Sequence, residues 1–376
     1  MQVERATAGP AGYHVTLAPL PARDALRDAW LALQARSDSS FFLSWQWIGT
    51  WLDTICPSRM ARLLSVHHEG RVVAMGILTR RGRLFGLAPA SLRLHETGSR
   101  ELDSLTIEYN GLLAETGHHR QALAAMVRHL LDHEPRWLTI FLPGIDVEQL
   151  PLAALEEMPI EIRMNARATH FVDLQRLRDD GADYLSSLGS KTRAAVRRTA
   201  RRFEQAVGPV TLATAATPGQ RRDFFHALVE QHQRYWRGRN GSSGAFGDSR
   251  VVRFHERLLD QSTQAAGGQL MRLSAGDTPV GYAYNIVSNG TAHFYQSGID
   301  YAAASFHGSP GLLLLSRVIE QHLREGTTRF ELMAGDSPYK RSLGTQAGSM
   351  AWASIDRVGL SARMRRVWWR LSGRRD

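Results

Sequence analysis

A series of strand patterns joined by tight turns in the last third of the chain constrains the fold most. Alternating or apolar residues occupy Gln269–Ala275, Thr278–Val287 and Thr291–Ser297. The turns between them contain Gly276-Asp277 and Asn289-Gly290, which favour chain reversal. A helical pattern over residues 310–325 and a strand pattern over 329–333 follow. This order predicts an antiparallel meander that is extended by a helix and one further strand.

The predicted helix begins with residues that suit an anion site. Ser309 is a favoured helix cap and Pro310 suits the first helical position. Gly308 and Gly311 let a ligand approach the backbone closely. The first amide groups of a helix lack partners within the helix and carry partial positive charge, so they can bind phosphates. Taken alone, however, Gly-Ser-Pro-Gly also begins many helices that bind nothing.

Charge and composition exclude several classes of protein. A net charge of +10 over 376 residues should attract anions such as nucleotide phosphates, nucleic acid or acidic lipid headgroups. The single cysteine, Cys56, excludes an internal disulfide and lies on an apolar helical pattern, so we expect a buried thiol. The sequence has no P-loop, dinucleotide-binding turn or hydrolase nucleophile elbow. The adjacent pairs His67-His68 and His118-His119 point to opposite sides of their elements, and no metal site is expected.

A strongly basic helix is predicted in the middle of the chain. Six cations and no acid occur between Lys191 and Arg202, beside an apolar stripe that includes Val196, Ala200 and Phe203. Ser190 is predicted to cap this helix. Like charges at this spacing repel each other, which favours an anionic partner, although a merely solvated basic face remains an alternative.

The length of the chain predicts two domains, because single domains usually contain about 100 to 200 residues. The first half alternates helical and strand patterns, including a helix over 121–133 and a strand over 137–142. We therefore predict a mixed α/β fold of two lobes, residues 1–173 and 174–376, with mostly antiparallel sheets flanked by helices. The start of the chain carries Glu4 and Arg5 with no apolar segment behind them, so a cytoplasmic protein is expected.

The last third of the chain resembles the core of the GNAT acyltransferases. The residues that carry the resemblance are Phe294-Tyr-Gln-Ser-Gly-Ile-Asp300, Ser309-Pro-Gly311, Gly326, Phe330-Glu-Leu-Met-Ala-Gly-Asp336 and Tyr339-Lys340. They are similar to the branch of polysaccharide and cellulose biosynthesis acetyltransferases, and to the Fem-type aminoacyltransferases with two GNAT-like domains. Phe42-Leu-Ser-Trp-Gln-Trp47 agrees with both. One departure is Ser337, which stands where the family usually has an acidic residue.

The resemblance implies direct acyl transfer from acetyl-CoA or another acyl-CoA, without a metal. It assigns the donor's diphosphate to Gly308, Ser309, Pro310, Gly311 and Leu312. The chemistry also needs a group that accepts the nucleophile's proton and a group that returns a proton to the thiolate. The candidates for these steps are Asp336, Tyr295, His293 and Asp300, and the candidates for substrate binding are Arg193, Arg197, Tyr339 and Lys340. Each also has a structural alternative, such as a turn aspartate, a packed tyrosine, a buried histidine or a surface cation.

Three functions follow from these observations. The first is N- or O-acyl transfer, with acetyl as the expected group, onto a sugar, a sugar-nucleotide or an amino compound of envelope or exopolysaccharide synthesis. The second is Fem-type transfer from aminoacyl-tRNA, with the basic helix holding RNA phosphates. The third is a non-catalytic scaffold, in which the basic amphipathic segment 359–375 contacts an anionic membrane. Docking of that segment on its own domain is the alternative to membrane contact.

Overall fold

The chain forms two compact units in a computed structural model, which describes residues 12–82, 90–134, 137–263, 266–301 and 308–358. The first unit contains the described residues up to Ala166 together with those from Met350 onward, and the second contains Arg167–Ser349. The basic segment 359–375 lies outside the described residues. No helix in the described ranges is long and apolar enough to cross a membrane.

The first unit is a mixed sheet with helices. Its strands are β1 (Tyr13–Pro19), β2 (Ala61–His68), β3 (Arg71–Arg81), β4 (Ala90–Leu94), β5 (Leu113–Ala114) and β6 (Trp137–Asp146). Its helices are α1 (Arg23–Gln34), α2 (Trp45–Thr54), α3 (His119–His133) and α4 (Leu152–Glu156). The strands β1 to β4 pair antiparallel in sequence order, β4 pairs parallel with β6, and β5 pairs with β3. Cys56 is buried, as predicted, and burial raises the pKa of its thiol to about 12.

The chain enters the second unit within β7 (Ile160–Asp173) and leaves it within β13 (Gln346–Arg357). The strands of this unit are β8 (Val210–Thr214), β9 (Gly267–Ala275), β10 (Thr278–Ser288), β11 (Thr291–Ile299) and β12 (Arg329–Ala334). The helices are α5 (Leu174–Asp179), α6 (Tyr184–Ser187), α7 (Ser190–Ala206), α8 (Pro218–Asn240), α9 (Ser249–Asp260), α10 (Pro310–Arg324) and α11 (Pro338–Leu343). The predicted mixed α/β class is confirmed.

Both units use the same strand topology. In the second unit β8 to β11 pair antiparallel in sequence order, and β11 then pairs parallel with β12 through the crossover helix α10. The parallel pair β4 and β6 of the first unit is likewise connected through α3. In each unit one more strand pairs antiparallel with the later strand of the parallel pair. This strand is β13 beside β6 in the first unit and β7 beside β12 in the second. The fold is therefore a repeat of one six-stranded plan.

The two outer strands explain how the observed units differ from the predicted lobes of 1–173 and 174–376. The last residues of β7 pair with β12, so the second unit begins at Arg167. Residues Met350–Asp356 pair with β6, so the end of the described chain returns to the first unit. The apolar run Met350–Ile355 therefore extends the first sheet. Pairing between distant strands is not encoded in local patterns.

Helix α7 packs its apolar stripe into the core of the second unit. Val196, Ala200 and Phe203 are buried in a cluster that also contains Leu313 and Val318 of α10. The helix is capped by Gly189 rather than by Ser190, which is its first residue, and no side chain in the described part of the chain caps its first amides. The prediction of Ser190 as the cap was wrong by one position, because the backbone of Gly189 already adopts the extended cap conformation.

Candidate active site

The parallel strands of the second unit pair only at their beginnings. Thr291, Ala292 and His293 of β11 oppose Arg329, Phe330 and Glu331 of β12. Beyond these pairs β11 continues to Ile299 along β10, whereas β12 continues to Ala334 along β7. The two strands thus separate toward their carboxyl ends, which is where open α/β sheets bind ligands.

The backbone of β12 bends at the point of separation. Its register with β7 shifts between Glu331 and Ala334, and Met333 adopts a φ of 64°. A left-handed conformation is uncommon for a side chain of this size and is stabilised here by its surroundings. The ammonium group of Lys340 donates hydrogen bonds to the carbonyl oxygens of Met333 (3.2 Å) and Ala334 (2.6 Å). Lys340 therefore fixes the bent end of the strand.

Helix α10 begins beside this separation. Pro310 occupies its first turn, and the amides of Gly311 and Leu312 have no partner within the helix because of their position. Ser309 occupies the cap position as predicted, but its hydroxyl makes no capping hydrogen bond among the described residues. The expectation that this hydroxyl satisfies the first amides was therefore wrong.

Helix α7 fixes the segment in front of α10. The hydroxyl oxygen of Thr199 accepts a hydrogen bond of 3.1 Å from the Ser309 amide. Gly308 adopts a φ of 124°, and a β-carbon there would lie 2.6 Å from the same oxygen. Only glycine fits this position without displacing Thr199, since both the space and the backbone conformation disfavour a side chain.

Three exposed cations of α7 lie on the same flank of the helix as Thr199. Successive residues of a helix are rotated by about 100° around its axis. By this geometry the directions of Lys191, Arg198 and Arg202 differ from that of Thr199 by about a quarter turn or less. Arg197, a predicted substrate-binding residue, is also exposed but lies on the far side of the helix by the same geometry. Arg193, the second one, donates hydrogen bonds to the carbonyl oxygens of Ser186 (2.9 Å) and Leu188 (3.2 Å).

In the first unit, a loop segment bridges the strand that is equivalent to β12. The last parallel pair between β4 and β6 is Arg93 with Phe141, and Asn110 then forms a parallel bridge with Ile145. The Asn110 amide donates a 2.9 Å hydrogen bond to the carbonyl oxygen of Gly144. Beyond His293 and Glu331, the part of the second unit that the structure describes has no such bridge.

The candidate carboxylate Asp336 is held by two side chains. It accepts a 3.0 Å hydrogen bond from His170 Nε2 on β7 and forms a 2.7 Å ion pair with Arg341. These bonds, first that of Arg341 and then that of His170, lower the pKa of Asp336. A carboxylate with a lowered pKa is a weak base. The sequence analysis missed its partner His170.

The other predicted catalytic residues occupy different surroundings. His293 is buried where β11 still pairs with β12, and burial lowers its pKa to about 4. The ring of Tyr295 packs against His255 and Tyr284, with centroid separations of 5.1 and 5.5 Å. Asp300, at the end of β11, lies 3.6 Å from a guanidinium nitrogen of Arg234.

Two tyrosines meet at the open end of the strand pair. Tyr339, a predicted substrate-binding residue, is the second residue of α11, and Tyr301 directly follows Asp300. Burial raises the pKa of each phenol, and the phenol of Tyr301 adds to the shift of Tyr339. Both hydroxyl groups are therefore protonated at neutral pH and can donate hydrogen bonds.

No group of three or more His, Cys, Asp or Glu side chains among the described residues could hold a metal ion. The arrangement that remains is a separated parallel strand pair with a helix start and cationic helix beside it. It suits an elongated anionic ligand whose phosphates contact α10 and whose remainder lies between the strands. This is the arrangement of a GNAT-type acyltransferase domain.

Comparison with known proteins agrees with that class. Residues 190–341 match the family described as the acetyltransferase (GNAT) domain. No curated protein matches the chain in sequence. The matched domain and the fold together indicate an acyltransferase.

Solved structures share the fold at low sequence identity. The crystal structure of FemX superposes with a TM-score of 0.59 at 10% identity, covering 93% of this chain and 99% of that one. The C-terminal domain (DUF2156) of a protein described as a lysylphosphatidylglycerol synthetase from Agrobacterium fabrum gives 0.53 at 12% identity, covering 92% and 95%. A conserved protein from Bacteroides thetaiotaomicron gives 0.53 at 10% identity, covering 91% and 99%. These likenesses concern the fold alone.

Proposed function

We propose that the second unit binds an acyl-CoA at the start of α10 and transfers its acyl group to an amine or hydroxyl acceptor. The observation that carries the proposal is the separation of β11 from β12 beside the amides of Gly311 and Leu312, which have no partner within their own helix. The diphosphate would contact these amides, and Lys191, Arg198 and Arg202 on α7 would balance its charge. Arg193 and Arg197 were predicted to bind the substrate, whereas we assign the donor phosphates to Lys191, Arg198 and Arg202.

The reaction requires one bond exchange. The lone pair of the acceptor nitrogen or oxygen attacks the thioester carbonyl carbon, the C–S bond breaks, and the acceptor's proton ends on the thiolate of CoA. Positioning supplies most of the catalysis in such a step. We assign to His170, held by Asp336, the role of accepting the proton of the acceptor group. Tyr301 or Tyr339 gives a proton to the thiolate, and exchange with solvent then returns the proton from His170 to the phenolate.

The acceptor class follows from the resemblance of residues 294–340 to polysaccharide biosynthesis acetyltransferases. On that ground we infer an acceptor among sugars, sugar-nucleotides or amino compounds of envelope or exopolysaccharide synthesis, and acetyl-CoA as donor.

A charge placed at the cap of α10 tests the donor site. Aspartate is a favoured cap and stabilises a helix start, so Ser309→Asp should keep or raise the melting temperature of the unliganded protein. The added carboxylate should repel the diphosphate. We expect acetyl-CoA to raise the melting temperature of the wild type, because binding at a hundredfold excess over Kd stabilises the folded protein by about 2.7 kcal/mol. The melting temperature of Ser309→Asp should not change when acetyl-CoA is added.

Ser309→Asn is the matched control, because asparagine caps equally well without charge. It should keep the full shift with acetyl-CoA. If acetyl-CoA raises the melting temperature of Ser309→Asp as much as that of the wild type, the start of α10 is not the donor site.

The basic face of α7 supports a second candidate, transfer from aminoacyl-tRNA. Among the described residues, Lys191, Arg197, Arg198, Arg201 and Arg202 are exposed and make no ion pair. RNA binding by this face would weaken steeply with salt, with a slope near 0.7 per contacted phosphate on a logarithmic scale. Tight, salt-dependent binding of tRNA together with no thermal shift by any acyl-CoA would favour this candidate.

A further inference from the structure

Strand β8 forms a free edge of the sheet in the second unit. It pairs with β9 on one side, and no described residue pairs with it on the other. Its five residues, Val-Thr-Leu-Ala-Thr, carry no charge. Edge strands usually contain a charged residue, a proline or a bulge that prevents pairing with another chain. The strand from Val210 to Thr214 has none of these features, so its edge can accept a further strand.

The hydrogen bonds beside β8 show which of its backbone groups point outward. The Ala215 amide donates a 2.9 Å hydrogen bond to the carbonyl oxygen of Leu270. The Gly276 amide donates a 2.9 Å hydrogen bond to the carbonyl oxygen of Pro209. The direction of hydrogen bonding alternates along an antiparallel strand, so the odd-numbered residues of this segment face β9. The N–H and C=O groups that point toward the free edge are therefore those of Val210, Leu212 and Thr214.

A second copy of the same edge supplies the matching groups. Two β8 strands can pair antiparallel about a twofold axis at Leu212, so that Val210 of each strand faces Thr214 of the other. Each opposed pair exchanges two hydrogen bonds, which gives about six main-chain bonds in the contact. The side chains of Val210 and Leu212 are half-buried against the core of the second unit. Contact across the axis would complete their burial.

Helix α7 lies along this edge. Val210 and Leu212 of β8 pack on the buried cluster that contains the apolar stripe of α7. Helix α7 also contacts α10, where Thr199 accepts the hydrogen bond from the Ser309 amide. The helix therefore lies between α10 and the free edge, and the side of α7 opposite to Thr199 faces that edge.

The side of α7 that faces the edge carries opposite charges. Arg197 and Glu204 point within about 40° of the direction opposite to Thr199. Both are exposed, and neither forms an ion pair among the described residues. Because β8 returns beneath α7, Leu212 lies level with about residue 201 of the helix. Arg197 and Glu204 are thus on either side of the axis, and a second copy brings Arg197 opposite Glu204 twice.

We propose that this surface binds a second copy of the chain, so that the sheet of the second unit continues through β8 of both copies. Main-chain hydrogen bonds and two ion pairs between Arg197 and Glu204 hold the dimer together. Arg201 opposes it, because this exposed cation lies beside the axis and faces its own copy. A short strand combined with this repulsion predicts a dimer that dissociates on dilution.

Sedimentation velocity of the full chain over a range of concentrations tests the pairing. The wild type should change from monomer to dimer as the concentration rises. Thr214→Pro removes an outward amide and no bond to β9, and proline is tolerated on an edge strand at such a position. This variant should keep its melting temperature and raise the dimer dissociation constant at least about tenfold. Ala213→Pro removes an amide that faces β9, so its melting temperature should fall.

An exchange of charges tests the ion pairs. Arg197→Glu places carboxylates opposite each other and should weaken the dimer severalfold. The double variant Arg197→Glu, Glu204→Arg restores opposite charges and should restore the dissociation constant of the wild type. Arg198→Glu is the matched control, because it changes the net charge equally but points away from the edge. It should not weaken the dimer.

Removal of the repulsion gives a prediction of the opposite sign. Arg201→Gln should tighten the dimer, because no like charges then face each other beside the axis. Monomers at every concentration would assign the edge to an extended segment of another protein and overturn the proposal. A dimer that neither Thr214→Pro nor Arg197→Glu weakens would overturn it as well, since association would then use another surface.

Discussion

Individual cations near the site divide into those that stabilise the backbone and those that face solvent. Lys340 and Arg193 donate their hydrogen bonds to carbonyl oxygens, and both had been expected to bind substrate. Lys191, Arg198 and Arg202 have no partner of this kind among the described residues. A cation that already satisfies buried carbonyl groups is not available for a phosphate unless those groups lose their bonds.

Lys340→Met should therefore affect stability more than donor binding. It removes the hydrogen bonds that Lys340 donates to the carbonyl oxygens of Met333 and Ala334, which should lower the free energy of unfolding by about 1–3 kcal/mol. Lys191→Met should show the reverse, with unchanged stability and weaker, less salt-dependent binding of acetyl-CoA. Urea unfolding and calorimetric titration of both variants measure the two effects. If Lys340→Met loses acetyl-CoA binding and keeps its stability, Lys340 binds the ligand after all.

At the scale of elements, the close packing of helices on the sheet of the second unit sets the dimensions of the site. Gly298 of β11 shows how closely α8 approaches the sheet, since a β-carbon there would lie 2.5 Å from the carbonyl oxygen of Leu228. A cavity lined by Tyr235 and Ile299 lies between the same two elements, α8 and β11. A backbone atom cannot rotate away as a side chain can, so the spacing is fixed by the glycine.

Gly298→Ala should push α8 from the sheet and lower the free energy of unfolding by about 1–3 kcal/mol. Gly219→Ala is the control, because no atom lies closer than 3.9 Å to the added carbon at this helical position. The substitution should raise the free energy of unfolding by up to about 1 kcal/mol. Chemical denaturation of the two variants provides the comparison. Equal stabilities would mean that α8 does not contact β11 so closely.

Local patterns predicted the elements of the second unit well, for identifiable reasons. Tight turns at Gly276-Asp277 and Asn289-Gly290 and the proline at position 310 specify β9 to β11 and the start of α10. The contacts of Asp336 with His170 and of Tyr235 with Tyr301 join residues 66 or more positions apart. No local signal specifies such pairs. The helix start could therefore be predicted, whereas the pairing of His170 with Asp336 and that of Tyr235 with Tyr301 required the structure.

Over the whole second unit, buried histidines link stability to pH. Burial lowers the pKa of His255 to about 3 and those of His293 and His322 to about 4, from the ordinary value of 6.5. The unfolded chain therefore binds more protons than the folded one between these values. Stability from the neutral histidines is present above pH 6.5 and is lost as the pH falls toward 4. The lowered pKa of Asp336 acts in the same direction at still lower pH.

Hydrogen exchange of the β10–β11 segment should therefore become faster relative to its intrinsic rate as the pH falls from 7 to 5. His255→Phe removes one titrating group from a cluster that already contains Phe225 and Phe246, so it should reduce this dependence. Mass-spectrometric exchange on the full chain measures both. A protection factor that does not change with pH in the wild type would contradict the buried neutral histidines.

The central claim is that the first amides of α10 bind the diphosphate of an acyl-CoA. Calorimetric titration with acetyl-CoA and with S-acetylpantetheine, which carries the thioester but no diphosphate, tests it most directly. The account predicts that acetyl-CoA binds at least about tenfold more tightly, an advantage of about 1.4 kcal/mol, and that Ser309→Asp abolishes this advantage while Ser309→Asn retains it. Equal affinities for the two ligands in the wild type, or the same advantage in all three proteins, would contradict it.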